Sequence, residues 1–177
     1  MSKFLKSTLA LALASTLASS LAAPAFAHVT IEAREATVGA GFKLVLRVPH
    51  GCKGQATSSI RVQLPEGVVN AKPMPKAGWT LDKVKGKYAA TYKPYGHEVS
   101  EGVKEIEWKG GNLPDDEYEE FTVSTYIDAS LKAGTMLYFP VVQGCVDGSA
   151  TRWIEIPVEG KGEPESPAPG VKLIEKK

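Results

Sequence analysis

Lys43-Leu44-Val45-Leu46-Arg47-Val48-Pro49 is the stretch whose reading decides the fold class. Leu44, Leu46 and Val48 recur every second residue, the period of a strand with one buried face, and Pro49 ends the run. Working outward, Ser59-Ile60-Arg61-Val62-Gln63-Leu64 alternates in the same way and stops at Pro65-Glu66-Gly67. Trp79 to Val84 and Lys87 to Tyr92 flank Lys85-Gly86, a spacing that predicts a hairpin. Val103 to Trp108, Glu119 to Ile127, Thr135 to Gln143 and Thr151 to Val158 continue the pattern. No window of helix length after residue 28 carries a 3.6-residue apolar stripe. Eight or nine short strands punctuated by Gly and Pro predict an all-β, antiparallel sandwich of immunoglobulin or fibronectin type.

The two ends of the chain have different compositions. Residues 1–27 open with Lys3 and Lys6, continue through an apolar run from Leu9 to Leu21, and finish Ala25-Phe26-Ala27. A basic start, an apolar centre and a small-x-small end are the marks of a cleaved export signal. The alternating region spans 28–158 and is assigned to one domain. Residues 159–177 hold Gly160, Gly162, Pro164, Pro167, Pro169 and Gly170 among charges, and read as a solvated tail. Within it, Val171 to Ile174 can add an edge strand.

Cleavage after Ala27 leaves about 150 residues, enough for one full core. Acidic and basic residues nearly balance in the chain, 20 against 21. Nucleic acid demands a clustered basic footprint that this chain lacks. No apolar run after the leader approaches the roughly 20 residues that span a bilayer, so the mature chain is expected to be periplasmic. Asp115-Asp116-Glu117 and Glu119-Glu120 could hold a hard cation, but a solvated loop before a strand is the simpler reading. The cysteines are Cys52 and Cys145. In an oxidising compartment they predict one disulfide, closing a loop of about 94 residues for roughly 4–5 kcal/mol in the chain-entropy model. The alternative is a thiolate site for Cu(I), which soft ligands select.

There are three histidines, His28, His50 and His97. His28 would be the first mature residue. A terminal histidine offers a metal both its α-amine and its ring Nδ1, a chelate no internal histidine can form, and nitrogen donors in a flat arrangement suit Cu(II). His50 lies in Val48-Pro49-His50-Gly51-Cys52, directly after a strand, and Trp153 lies eight residues past Cys145. A Cys52–Cys145 bridge would draw the His50 loop towards the Trp153 segment. Considered alone, His50 is equally a loop histidine, and Trp153 is more simply a core residue on an alternating strand. His97 reads as an exposed turn residue.

These motifs together resemble the YcnI-like family of exported bacterial copper-binding domains. The resemblance runs from His28-Val29-Thr30 through Arg47 to Cys52, Leu64 to Val68, Pro75 to Trp79 and Leu137 to Gln143, ending at Arg152 to Pro157. It implies a β-sandwich in which the N-terminal histidine binds Cu(II) as a single-histidine brace beside a carboxylate and a tryptophan. On this chain it places the brace on His28 and the tryptophan on Trp153. The family carboxylate follows Val-Pro, where this chain has His50-Gly51, so His50 is expected to replace it as a ligand. The function implied is a periplasmic copper chaperone or buffer without catalytic residues, serving another periplasmic or membrane copper-handling protein. The alternatives are an oxidative copper enzyme of the lytic monooxygenase kind and a copper-independent structural sandwich.

Overall fold

A computed structural model describes residues 28–177 except Lys53, Glu163 and Lys177. The leader 1–27 and its expected cleavage therefore lie outside the described residues. Twelve strands follow in order: β1 (Thr30–Ile31), β2 (Glu35–Thr37), β3 (Ala40–Val48), β4 (Thr57–Gln63), β5 (Val68–Pro73), β6 (Thr80–Tyr92), β7 (Val99–Leu113), β8 (Glu119–Ile127), β9 (Met136–Tyr138), β10 (Val141–Cys145), β11 (Ala150–Trp153) and β12 (Gly170–Ile174). A four-stranded sheet, β1-β3-β8-β5, and a five-stranded sheet, β11-β10-β4-β7-β6, form the immunoglobulin-like sandwich. A third, small sheet runs β2-β12-β9.

The alternation read from sequence does what it predicts. Leu44, Leu46 and Val48 of β3 meet Phe121 and Val123 of β8, Ile60 and Val62 of β4, and Ile106 and Trp108 of β7 in one buried cluster. Each such side chain stabilises the fold by about 1.5–3 kcal/mol when fully buried. Trp108 satisfies its only polar atom by donating to the Met74 carbonyl at 3.0 Å.

Three expectations need correction. Lys85-Gly86 is no hairpin turn: β6 runs straight through it, paired with β7 from Thr80↔Lys109 to Lys87↔Glu101, and the register shifts between Val84 and Lys85, where β7 carries the extra residue Lys104. The chain reverses instead at the 3-10 turn Pro94–Gly96, where Tyr95 takes a positive φ of 54° and Lys93 N–H is held by Asp128 at 3.1 Å. Thr135 to Gln143 is two strands, because the chain changes sheets at Phe139-Pro140; Phe139 N–H bonds Pro169 and the Pro140 carbonyl accepts from Gln63. The domain does not stop at 158. β12 is the centre of the third sheet, parallel to β2 and antiparallel to β9, with Val171 and Leu173 buried in the core. The Gly and Pro residues before it are a crossing segment, not the start of a detached tail.

Candidate metal centre

Cys52 and Cys145 form the expected disulfide, joining the loop after β3 to the end of β10 across 93 residues of sequence. The loop is shaped locally as well. Cys52 and Gln55 exchange backbone hydrogen bonds of 2.6 and 2.9 Å. A Cβ on Gly51 would stand 2.2 Å from the Gln55 carbonyl oxygen and 2.8 Å from Asp115 Cα, so the residue after His50 must be glycine.

His28 is fixed from its C-terminal side. Val29 is buried in the core, and β1 pairs with β3 through Thr30↔Arg47 and Ile31↔Leu46. The half-buried His28 ring meets Trp153 edge-on, with centroids 5.4 Å apart and planes at 66°. Trp153 closes β11 opposite Val141 and is itself buried.

Gln143 ties these parts together. Its side chain is 1 % exposed. Its Oε1 accepts the Trp153 indole N–H at 3.0 Å. Its Nε2 donates towards the His50 carbonyl at 3.2 Å, the Gly51 carbonyl at 3.1 Å and Thr57 Oγ1 at 2.7 Å. One amide therefore sets both the indole plane and the course of the His50 loop. Because indole nitrogen is only a donor and its proton is engaged, Trp153 presents ring atoms rather than a lone pair. His50 Nδ1 lies 2.6 Å from the Gly51 carbonyl and must donate to it, which assigns acceptor character to Nε2 in the neutral ring.

A cleft of about 90 Å³ opens here, lined by His50, Cys52, Gln143 and Trp153 and, from the segment before β12, by Glu165 and Ser166. His28 lines a neighbouring depression with Pro167 to Gly170. The structure thus brings His28 and His50 each to Trp153 but places them in adjacent hollows. Among the described residues, no three His, Cys, Asp or Glu side chains converge closely enough to hold a metal by themselves. A larger groove of about 380 Å³, lined by Asn70, Lys72, Tyr88 and Glu101 among others, contains no histidine. His97 is exposed beyond the 3-10 turn. In the acidic stretch, Glu119 pairs with Lys76 at 2.8 Å, and Glu120 pairs with Arg47 at 3.4 Å and accepts from Tyr118.

Residues 28–173 match the family described as Domain of unknown function (DUF1775). The chain belongs to this YcnI-like, DUF1775 family. Among solved structures, the DUF1775 domain is similar to an uncharacterized protein from Nocardia farcinica with an immunoglobulin-like fold, at 28% identity and a TM-score of 0.64, covering 83% of this chain and 98% of that one. A cohesin module from Clostridium perfringens ATCC13124 family 33 glycoside hydrolase is more distant, at 13% identity and TM-score 0.46, covering 84% and 97%. No curated protein matches the chain. No helix among the described residues is long and apolar enough to cross a membrane.

Two residues of this DUF1775 domain escape a reading of the sequence. Gln143 carried a usable signal: Val141, Gln143 and Cys145 share the inward face of β10, so a polar side chain sits where the strand's parity demands an apolar one. Glu165 carried none, since it stands among prolines in a segment of no regular period.

Proposed function

We propose that this protein is an exported Cu(II)-binding protein, a periplasmic copper buffer or chaperone, whose metal is held by the α-amine and ring Nδ1 of His28 once the leader is removed after Ala27. The observation that carries the reading is the edge-on seat of the His28 ring on Trp153, 5.4 Å between centroids, with the indole locked by the buried Gln143. Residue 28 is also where the family match begins. The disulfide supports an oxidising compartment.

The donor chemistry fits copper in a specific way. A chelate at His28 needs, beside the ring nitrogen, a second nitrogen that is not a side chain. The mature α-amine supplies it. Cu(II) would gain strong nitrogen ligation from the pair and would be released by protonation of the amine. His50 is an additional nitrogen ligand reached from the adjacent cleft, and Trp153 walls the site, its ring face favouring a cation and excluding water. While the leader is attached, residue 28 has an amide in place of the amine, so the precursor cannot form the chelate. Binding and release, rather than turnover, is the activity we assign.

Calorimetry with Cu(II) on the exported protein tests this. His28→Ala should abolish tight binding, His50→Ala should weaken it, and Trp153→Phe should alter retention without changing the nitrogen count. Affinity of the parent should rise with pH through about 8, where an unperturbed α-amine loses its proton. Unchanged affinity in His28→Ala overturns the reading.

A further inference from the structure

The side of the sandwich away from His28 ends in two free edges. β1 and β11 close the two large sheets on the side where His28 meets Trp153, and β5 and β6 close them on the other. β6 is the longer of these edges. Over residues 80–86 its backbone bonds only to β7, and no other described residue supplies a backbone partner. The register shift after Val84 does not break this edge, because the extra residue, Lys104, lies in β7. Past Gly86 side chains close it: Lys104 Nζ donates to the Lys87 carbonyl at 3.2 Å, and Ala89 N–H donates to the Glu66 carboxylate at 3.1 Å. The open stretch presents a row of N–H and C=O groups with no protein partner, a template for one more strand.

The side chains say which strand. Lys83 and Lys85 are exposed and form no ion pair among the described residues. Their partners across the ladder are Ile106 and Val103, so β7 sets no charge opposite them, whereas Lys87 faces Glu101. Glu105 and Glu107 lie opposite Val84 and Asp82 instead, and Asp82 pairs with Lys109. Opposite charges on neighbouring strands stabilise a sheet, and for Lys83 and Lys85 only a strand on the free side brings them. Val84, between the two lysines, is 56 % exposed, apolar surface that such a strand would cover. Beside Lys85 the groove of about 380 Å³ separates β6 from Asn70 and Lys72 of β5. Gly86 pairs with Gly102, and Tyr88 fills the space a Gly102 Cβ would take, which leaves the groove room for the side chains of an added strand. Lys72, exposed and also without an ion pair among the described residues, adds an ammonium on the far wall. A second copy cannot fill this edge with its own β6, since lysines would then stand against lysines.

We infer that the free edge of β6 is a docking site for an acidic, extended segment of a partner polypeptide, which joins the five-stranded sheet with carboxylates at alternate positions against Lys83 and Lys85. Backbone hydrogen bonds along residues 80–86 supply the affinity, and the lysines with the groove beside Lys85 supply the preference for acidic, alternating sequence. The site lies on the opposite side of the sandwich from His28 and shares no residue with the copper reading, so neither depends on the other.

The test uses the exported protein with its disulfide intact and a fluorescein-labelled Glu-Val-Glu-Val-Glu peptide, read by fluorescence anisotropy at low salt. Two further peptides carry backbone N-methyl groups, one on both valines and the other on the second and third glutamates. Each loses the N–H donors of one strand edge and keeps every charge. A strand adds through one edge, so at least one of the two should bind about tenfold more weakly than the unmodified peptide. Lys83→Glu with Lys85→Glu turns two favourable cross-strand pairs into two unfavourable ones and should weaken the unmodified peptide at least about fourfold. Lys161→Glu with Lys172→Glu makes the same change in net charge before and on β12 and should bind as the parent does. No binding of the unmodified peptide, equal binding of all three peptides, or equal binding by the two double variants would overturn the proposal. So would capture of the parent by phosphatidylglycerol vesicles in place of the peptide, which assigns the lysines to a membrane surface, or a parent dimer in sedimentation that the β6 double variant loses, which gives the edge to a second copy.

Discussion

Replacing Gln143 with leucine should cost the fold far more than one polar side chain suggests. The substitution keeps the volume nearly constant and removes the amide. The Trp153 indole N–H loses its acceptor, and Thr57 Oγ1 loses a partner at 2.7 Å with only the weak Cys52 sulfur, 3.7 Å away, in its place. The Gly51 carbonyl keeps the His50 ring as donor, so its loss is smaller. Two buried groups left short at about 1–3 kcal/mol each predict a loss of roughly 2–6 kcal/mol. For a domain of this size, at about 2–4 °C per kcal/mol, that is a fall in Tm of roughly 4–24 °C. Urea denaturation followed by tryptophan fluorescence, with the disulfide intact in both proteins, measures it directly. Gln143→Glu sharpens the test. A buried carboxyl facing three acceptors is stable only while protonated, so its folded-state pKa lies above the unfolded value. The deficit relative to the parent should therefore be smallest in acid and grow as pH rises from about 4.3. A Gln143→Leu loss below about 1 kcal/mol, or a Gln143→Glu deficit independent of pH, would refute the idea that this amide holds the site together.

Other consequences follow from the same structure. Ending the chain at residue 158 removes Val171 and Leu173 from the core, about 3–6 kcal/mol by burial, and bares the edges of β2 and β9; the truncated protein should be unfolded or aggregated by circular dichroism and gel filtration. Gly51→Ala forces a methyl group against backbone on two sides and should lose about 1–3 kcal/mol in denaturant, with weaker Cu(II) binding because His50 moves with the loop. The Lys104 ammonium beside Glu66 at 2.8 Å, aided by Ala89 N–H and Tyr92 O–H against the effect of burial, holds the Glu66 carboxyl below its ordinary range. Its contribution is present above the unfolded carboxyl pKa and is lost as pH falls through the lower folded one. Because both partners are over a third exposed, the contribution is under about 1 kcal/mol, and Glu66→Gln should flatten the acid limb of the stability–pH curve by that amount.

How far the molecule can be read from sequence depends on how local each cause is. β3 and β8 were legible because their inward residues repeat at strict period two and face one core. β6 was misread because Lys85-Gly86 has the composition of a two-residue turn, whereas the pairing that carries the strand through it comes from β7, the next strand, which returns only after the Pro94–Gly96 turn. β12 was undervalued because five residues behind a Gly/Pro segment give too short a pattern to outweigh composition. The disulfide was legible from two cysteines following an expected export signal. His28 was found from the expected cleavage after Ala27 and Trp153 through the resemblance, and the ring contact between them is geometry. Gln143 is legible only as a polar residue at an inward position of β10, and what it holds becomes visible when the fold brings that strand to the His50 loop and Trp153.

The central claim is that the mature α-amine of His28 binds copper. The most direct measurement is the Cu(II) EPR spectrum of the exported protein, its N-terminal mass determined on the same sample, compared with the same chain carrying one methionine ahead of His28. The account predicts a mass beginning at His28 and a tetragonal, nitrogen-ligated Cu(II) signal that is lost or replaced in the extended form. A mature chain that begins elsewhere, or identical spectra from the two forms, would contradict it.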